Sequence, residues 1–418
     1  MPKSLPPPER PESVFTYAAP TLVYGPGAIR DIEHHLRDCR RVLVVTDSGV
    51  AATGAVERVS AGLTAHVEVW DTTHVEPTDA SLRAVGEYVR NTEWDAFVAV
   101  GGGSSIDTAK AANLLATNPG DLLDYVNAPI GGGKAPANPL KPLIAVPTTT
   151  GTGSESTTIC VLDVLDSHVK TGISHARLRP AVAIVDPDLT VTQPPMVTAC
   201  AGLDVLCHAL ESYTSRPYTA FEAKTAAQRV PYCGANPISD MWAEQALGLM
   251  AQAFVRAVLD GGDADARARM SLAATLAGMG FGNAGVHIPH ANAYPIAGRV
   301  RGYRPPDYPQ AEPLIPHGMA VALTAPAAFR VTYAAAPERH ERAAALLGGD
   351  GTGPDALPAA LRRIMTGVGM PSGLSAVGYS AGDIPDLVAG SLAQQRLLAL
   401  APVAVTAEDL AGIFEESL

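Results

Sequence analysis

The sequence lacks any run of about 18 apolar residues, so it contains no evident membrane-spanning segment. Basic residues are outnumbered by acidic ones, 30 to 42, and the resulting net charge of -12 argues against nucleic acid or an anionic membrane as a partner. The five cysteines form no CxxC pair and no regular framework, which indicates free thiols in a reducing compartment. Because the net charge is negative, any anionic ligand must be bound by a local cluster of Arg or Lys.

The N-terminal residues also lack the features of a targeting segment. Residues 1–14 contain prolines and acids but no apolar core and no Arg-rich helix, so they resemble neither a signal peptide nor a transit peptide. We predict that they are disordered and that the protein is cytoplasmic. A length of 418 residues predicts two domains.

Strand-like and helix-like segments alternate through the first half of the chain. Strand-like runs occur at 41–47, 66–70, 96–100, 142–147 and 181–189, the first of them continuously apolar and β-branched, and helical patterns separate several of them. This alternation predicts an α/β domain with a doubly wound, mostly parallel sheet. Ligands of such sheets bind at the carboxyl ends of the strands, where Asp47 lies.

Two strand ends carry groups suited to a nucleotide. The first is Gly101-Gly-Gly-Ser104 before a helix, where glycines allow close backbone approach and the helix N-terminus attracts a pyrophosphate. Ser104 and Asp107 would also fit a capping box, so this turn could be only a well-capped helix start. The second is Thr148-Thr-Thr-Gly-Thr-Gly-Ser-Glu155, rich in hydroxyls. Lys170 is either a surface lysine or one that reaches the ligand.

The character of the sequence changes near Gln193-Pro194. Beyond it almost every long segment has helical periodicity, for example 238–259. We therefore predict a dinucleotide-binding domain at 1–193 and an all-α metal-binding domain at 194–418, with the active site in the cleft between them.

Asp204 and His208 lie four residues apart in an apolar helical stretch, so their side chains can meet at one point. Such a pair is common as a simple hydrogen bond on a helix face. Two further histidines, His290 and His317, stand in segments rich in Gly and Pro. Three imidazoles and one carboxylate suit Fe(II) or Zn(II). The nearby arginines, Arg299, Arg301 and Arg304, suggest recognition of a carboxylate or form a solvated basic loop.

Four motifs together resemble the iron-containing (group III) alcohol dehydrogenases. They are Gly101-Gly-Gly-Ser-Ser-Ile-Asp-Thr-Ala-Lys110, Pro147-Thr-Thr-Thr-Gly-Thr-Gly-Ser-Glu155, Ala201-Gly-Leu-Asp204 with His208 and Glu211, and Pro316-His317-Gly318. The segments 204–213, 234–240, 280–287 and 376–385 are similar to the hydroxyacid-oxoacid transhydrogenase branch.

The resemblance implies bound NAD and a divalent metal, Fe(II) with Zn(II) as the alternative. It implies metal ligation by Asp204, His208, His290 and His317, with His290 preferred over His287. Tyr294 replaces a histidine that the family often uses in cofactor contact or proton transfer, so Tyr294 and His287 become the candidate catalytic residues, and Arg301 and Arg304 the candidates for a substrate carboxylate. The implied cofactor contacts are Asp47, Gly102, Gly103, Ser104, Asp107, Thr148, Thr149, Lys170 and Leu189.

Three functions follow from this resemblance. The first is a hydroxyacid-oxoacid transhydrogenase that moves hydride from a 4-hydroxybutyrate-like hydroxy acid to a 2-oxoglutarate-like oxo acid through bound NAD. The second is an NAD-dependent dehydrogenase of small primary alcohols or hydroxy acids with exchangeable cofactor. The third is a non-catalytic binding protein of the same fold. The partners expected are these small molecules and further copies of the chain, in a homodimer or larger homo-oligomer, with no nucleic acid and no membrane.

Overall fold

The computed structural model describes residues 3–167, 169–308 and 312–418. Its strands are β1 Lys3–Ser4, β2 Thr21–Tyr24, β3 Arg41–Val45, β4 His66–Trp70, β5 Ala96–Gly101, β6 Leu143–Pro147, β7 Ile159–Val164, β8 Val169–Ser174, β9 Val182–Val185 and β10 Val403–Ala404.

Most helices of the first half are short, and most of those in the second half are longer. They are α1 Ile32–Leu36, α2 Ser48–Ala51, α3 Ala55–Ser60, α4 Asp79–Arg90, α5 Gly103–Thr117, α6 Leu122–Tyr125, α7 Pro195–Thr214, α8 Pro237–Leu259, α9 Ala264–Ala284, α10 Ile288–Gly298, α11 His317–Thr332, α12 Pro337–Leu346, α13 Ala356–Gly367, α14 Ile384–Leu392, α15 Gln395–Leu398 and α16 Ala407–Glu416.

Residues Ala18–Gln193 form one compact unit, built on a six-stranded sheet. The strand order is β2-β9-β6-β5-β3-β4, and every neighbouring pair is parallel. The central strands β5 and β6 are buried along their whole length, as expected of strands covered on both faces. The predicted doubly wound, mostly parallel sheet is therefore confirmed. The antiparallel pair β7–β8 is an addition that the sequence did not indicate.

A buried ion pair ties α5 to the segment that follows β6. The ammonium group of Lys110 has no exposed surface and donates to Asp107 Oδ1 at 3.2 Å, to Ser154 Oγ at 2.7 Å and to the carbonyl oxygen of Ile159 at 2.7 Å. Asp107 also accepts from Ser154 Oγ at 2.5 Å and from the backbone N–H of Val161 at 2.9 Å. Because every contact is internal, this network stabilises the unit rather than presenting a charge to a ligand.

Pro194–Leu418 and the described residues up to Tyr17 form the second compact unit. It is mostly helical, and the two-residue strands β1 and β10 are the exception to the predicted all-α domain. Helix α7 is buried on nearly all sides, which explains why its sequence is apolar around its whole circumference. Among the described helices, none combines the length and apolarity needed to cross a bilayer.

The prediction of disorder for residues 1–14 is wrong for residues 3–14. Strand β1 pairs with β10, and the buried carboxylate of Glu12 accepts hydrogen bonds from the backbone N–H groups of Val14 and Lys224 and from Arg229. These contacts join the N-terminal segment to the helical unit and not to the sheet. Except for Val14, the partners are more than 200 residues away, and local composition does not reveal such contacts. Residues 1 and 2 lie outside the described residues.

Replacing Lys110 by Met should destabilise the sheet-containing unit. The change leaves the buried carboxylate of Asp107 without its cation, and breaking a buried ion pair from one side costs about 3–5 kcal/mol. Urea unfolding should show a loss of this size. Lys141→Met, at an exposed position, is the matched control and should change stability by less than about 0.5 kcal/mol. Equal midpoints for the two variants would contradict a structural role of Lys110.

Candidate active site

Helix α7 carries the first two side chains of the candidate metal centre. Asp204 and His208 are separated by about one helical turn, and His208 Nε2 lies 3.6 Å from Asp204 Oδ1. Helix α7 can pack closely against α8 because Gly202 has no side chain. A Cβ at that position would lie 2.1 Å from the ring of Phe254 on α8. Close packing of α7 against α8 thus fixes the position of the helix that carries Asp204 and His208.

Two other helices bring the remaining imidazoles to the same carboxylate oxygen. His290 is in the first turn of α10 and His317 is the first residue of α11. Their Nε2 atoms lie 3.4 Å and 3.8 Å from Asp204 Oδ1. The rings of His208 and His290 are stacked with centroids 4.6 Å apart. Three imidazoles from three helices therefore converge on one oxygen.

These donor atoms fit a bound metal ion. Within the described part of the chain, Asp204 Oδ1 and His290 Nε2 are buried and have no hydrogen-bond partner. Ligands bonded at about 2.1 Å in a tetrahedron lie about 3.4 Å apart, close to the separations between Asp204 and the imidazoles. The ligand atoms of Asp204, His290 and His317 all lie within 4.8 Å of one another. His208 is outside that tighter group of three, although its Nε2 also faces Asp204.

The electrostatics of the cluster favour a cation. Burial lowers the pKa of His208 to about 3, so this imidazole is neutral. Burial opposes ionisation of Asp204, but the three imidazoles outweigh it and hold the pKa of this carboxyl well below its usual range. Burial also lowers the pKa of His290, but Glu211 and Asp204 reverse the shift and raise it to about 10. Two buried carboxylates thus attract positive charge to the point where the imidazoles meet.

In the sheet-containing unit, the predicted nucleotide turn joins β5 to α5. Gly102 is the N-cap of α5 in an extended conformation and makes no side-chain cap. A Cβ at Gly103 would lie 2.7 Å from Thr152 Cγ2, and one at Gly102 would lie 3.1 Å from Thr149 Oγ1. The glycines therefore allow the threonine-rich loop after β6 to pack against the turn. The N-terminus of this 15-residue helix has the free N–H groups and the dipole that bind a phosphate.

Asp47 and Thr148 lie at the same edge of the sheet as this turn. Asp47 follows β3, the neighbour of β5, and accepts hydrogen bonds from the backbone N–H of Val50 at 2.9 Å and from Ser105 Oγ at 3.1 Å. Thr148 follows β6, the other neighbour of β5, and its N–H donates to the carbonyl of Gly101 at 3.0 Å. Three adjacent strands thus end in the residues predicted to contact the cofactor.

The family comparison covers both units. Residues 19–187 match the family described as iron-containing alcohol dehydrogenase, and residues 198–418 match the C-terminal part of the Fe-containing alcohol dehydrogenase family. The chain belongs to the iron-containing alcohol dehydrogenase family. It is therefore an oxidoreductase, and the family resemblance predicted from the motifs is confirmed.

Curated relatives and solved structures agree with this assignment. The chain is 46% identical over 418 residues to a mitochondrial hydroxyacid-oxoacid transhydrogenase of Xenopus laevis and 44% identical over 418 residues to that of Homo sapiens. Each alignment covers 97% of this chain and 90% of the relative. A 1,3-propanediol oxidoreductase structure is 31% identical with a TM-score of 0.84, covering 97% of this chain and all of that one. A sulfoacetaldehyde reductase of Bifidobacterium kashiwanohense in complex with NAD+ is 28% identical with a TM-score of 0.82, covering 96% and 98%.

The names of these relatives overturn one prediction. The transhydrogenases from both organisms are named as mitochondrial, which contradicts the cytoplasmic location predicted here. Free cysteines indicate a reducing compartment but do not distinguish one such compartment from another.

The two candidate catalytic residues occupy different environments. His287 has no exposed surface, and its Nε2 contacts Thr214 Oγ1 at 3.2 Å. Burial lowers the pKa of His287 to about 4, against the opposing charge of Glu211. Its imidazole is thus a neutral, internally bonded group, poorly suited to exchanging protons with a substrate. Tyr294, on α10 one turn after His290, packs against the apolar cluster that contains Phe281, and its catalytic role stays a prediction.

Four of the residues predicted to contact the cofactor make contacts within the sheet-containing unit itself. Ser104 Oγ accepts the N–H of Glu76 at 3.1 Å, and because α5 begins at Gly103 the predicted capping box with Asp107 does not form. Asp107 belongs to the internal network with Lys110, and Leu189 is buried in the core beneath the sheet. Lys170 on β8 is paired with Asp163 at 3.2 Å and with Glu76. Asp107 and Leu189 therefore support the fold, whereas Ser104 and Lys170, linked through Glu76, remain next to the turn.

The two candidate substrate arginines differ as well. They lie in the segment between α10 and α11, which joins His290 to His317. Arg301 is exposed and paired with Asp383, so the structure assigns it a surface ion pair rather than a free guanidinium. Arg304 is exposed and forms no ion pair within the described residues. The N–H of Leu314 donates to the carbonyl of Tyr303 at 2.9 Å, which brings Arg304 back toward the start of α11.

Sequence reasoning missed three residues that hold the metal ligands in place. Phe281 stacks on the ring of His208 with centroids 3.9 Å apart and planes 10° apart. Glu211 accepts a hydrogen bond from His290 Nδ1 at 2.6 Å. Gly318 packs against α7, where a Cβ would lie 2.0 Å from the carbonyl oxygen of Cys200 and 2.9 Å from Asp204 Cβ. All three lie in stretches that resemble the family, Glu211 and Gly318 in its motifs and Phe281 in the segment 280–287, and this resemblance was the signal that could have identified them.

Gly318→Ala should disrupt the candidate metal centre. The added Cβ meets backbone, which cannot rotate away, so the start of α11 and with it His317 must shift. We expect at least a tenfold loss of metal affinity, measured by competition with a chelator. Gly248→Ala on α8 is the matched control because its Cβ would meet nothing within 4 Å. Unchanged affinity in Gly318→Ala would show that His317 is not a ligand held by this contact.

Proposed function

We propose that the protein is a hydroxyacid-oxoacid transhydrogenase that uses a divalent metal and a bound NAD. The convergence of three imidazoles on Asp204 carries the proposal for the chemistry. Identities of 44–46% over 97% of the chain to relatives named as this enzyme support the substrate class. In the first half-reaction, a hydroxy acid such as 4-hydroxybutyrate gives a hydride to NAD+ and releases its hydroxyl proton. In the second, an oxo acid such as 2-oxoglutarate takes up the hydride and a proton.

Asp204, His208, His290 and His317 would hold the metal, with Fe(II) favoured by the family and Zn(II) compatible with the same ligand types. A divalent ion at these donors would polarise the substrate oxygen and favour its deprotonation, and the nicotinamide would carry the hydride. The protein contributes a preformed set of donors, of which Asp204, His208 and His290 are buried, so little reorganisation is needed on binding.

The residues at the sheet edge would bind the NAD. The N-terminus of α5 with Gly102 and Gly103 would hold the pyrophosphate, and Thr148 and Thr149 would lie toward the nicotinamide. Asp47 would accept a hydrogen bond from the ribose 2′-hydroxyl and repel a 2′-phosphate, which favours NAD over NADP. The NAD complex of the related sulfoacetaldehyde reductase supports this choice of cofactor.

Arg304 is the better candidate for binding the substrate carboxylate. Arg301 already has Asp383 as its partner, whereas Arg304 has no ion pair within the described residues and lies on the segment that leads to His317. An arginine fork suits a carboxylate because it can donate two parallel hydrogen bonds. A homodimer or larger homo-oligomer stays a prediction, which sedimentation analysis would test.

A second candidate is an NAD-dependent dehydrogenase of small primary alcohols or hydroxy acids with exchangeable cofactor. The similarity to a 1,3-propanediol oxidoreductase, 31% identical with a TM-score of 0.84, favours it. The two candidates share the metal centre and the nucleotide turn and differ in whether NAD leaves between half-reactions.

Purified metal-loaded protein should convert 4-hydroxybutyrate and 2-oxoglutarate together without added NAD. The reason is that each half-reaction regenerates the form of the cofactor that the other consumes. Release of 2-hydroxyglutarate and succinic semialdehyde in equal amounts is the readout. Turnover that depends strictly on added NAD, with NADH appearing in solution, would instead support the exchangeable-cofactor dehydrogenase.

Arg304→Gln should raise KM for 4-hydroxybutyrate at least tenfold while changing KM for 1-butanol less than twofold. The reason is that only the acid has a carboxylate, which loses its contact with the guanidinium group. Arg301→Gln is the matched control, since its guanidinium is already paired with Asp383, and it should leave both KM values nearly unchanged. Equal increases for the acid and the alcohol in Arg304→Gln would remove Arg304 from substrate recognition.

A further inference from the structure

Glu211 is a fully buried carboxylate on α7, three residues after His208. Both carboxylate oxygens of Glu211 accept hydrogen bonds. Oε1 accepts from His290 Nδ1 at 2.6 Å, and Oε2 accepts the backbone N–H of His287 at 2.6 Å and lies 3.5 Å from that of His290. One side chain thus contacts both the ring and the backbone of a predicted metal ligand.

The backbone contacts cap α10 from a neighbouring helix. The first N–H groups of a helix have no partner within it, and His287, the N-cap of α10, makes no side-chain cap. The carboxylate of Glu211 accepts N–H groups at this end instead, where negative charge is also favourable to the helix dipole. The capping contact fixes where α10 begins and therefore where His290 stands.

The ring contact fixes the tautomer of His290. An ionised carboxylate can only accept hydrogen bonds, so His290 Nδ1 must carry the proton that lies between it and Glu211. When a metal ion replaces the second proton of this ring, the lone pair that binds it is on Nε2, the atom that lies 3.4 Å from Asp204 Oδ1. A partner on the distal nitrogen orients a ligating imidazole and increases its basicity.

We propose that Glu211 is a positioning residue of the metal centre, which holds His290 in the Nδ1–H tautomer and caps the helix that carries it. The role rests on the proposed function only in that the four donors bind a metal, and it can be tested without nucleotide or substrate. Co(II) is a suitable probe because its visible absorption reports the geometry of its ligands.

Glu211→Gln should bind Co(II) 10- to 100-fold more weakly than the wild type, the range typical for loss of such a partner, and should alter the visible spectrum. The amide keeps the size of the side chain but removes its charge. Glu244→Gln is the matched control, because Glu244 lies in the same unit and accepts from Tyr213 and Arg342 without contacting a predicted ligand. The control should bind Co(II) as the wild type does.

A double-mutant cycle separates positioning from a general loss of stability. If Glu211 acts through His290, adding Glu211→Gln to His290→Ala should weaken Co(II) binding by less than twofold more. A full additional loss would overturn the proposal, as would wild-type affinity and spectrum in Glu211→Gln. If Glu211→Gln does not fold, Glu211→Asp keeps the charge but shortens the reach, and wild-type binding by that variant would equally overturn it. Failure of the wild type to bind Co(II) would overturn both this role and the proposed function.

Discussion

The candidate active site depends on one buried carboxylate oxygen, Oδ1 of Asp204, toward which three imidazole nitrogens point. A buried charge is costly unless it is compensated, and Oδ1 has no hydrogen-bond partner among the residues that the structure describes. The helices α7, α10 and α11 bring three imidazole rings to this charge, and the ring of His290, whose pKa is raised to about 10, supplies a positive charge beside it. A divalent cation would satisfy the same requirement with shorter contacts, and the surrounding packing can be understood as fixing its ligands.

Small and aromatic residues make this arrangement rigid. Gly202 and Gly318 allow α8 and the start of α11 to approach α7 within distances that any side chain would prevent. Phe281 covers one face of His208, and Glu211 fixes the ring of His290 from behind. At the sheet edge, Gly102 and Gly103 serve the same purpose, bringing the threonine loop against the phosphate-binding turn. In both units, glycines at these positions allow the close packing that brings the predicted binding residues together.

The sequence was sufficient where the signal is local. Strand-like runs alternating with helical patterns predicted the parallel sheet, and the motifs identified the family and the four converging side chains. It was insufficient where partners are distant. The contacts of Lys110 with Ser154 and Ile159, of Arg301 with Asp383 and of Glu12 with Arg229 join residues 44 to 217 positions apart, and no periodicity reveals such pairs. The pair β7–β8 was missed because more than half of its residues are only partly buried and polar ones interrupt the pattern.

X-ray absorption at the iron edge of the Fe(II)-loaded protein tests the central claim most directly. If Asp204, His208, His290 and His317 hold the metal, the spectrum should require about three imidazoles and one carboxylate oxygen per iron, at roughly 2.0–2.2 Å. His317→Ala should lower the number of imidazoles by one. A spectrum with at most one imidazole, or one unchanged in His317→Ala, would contradict the account.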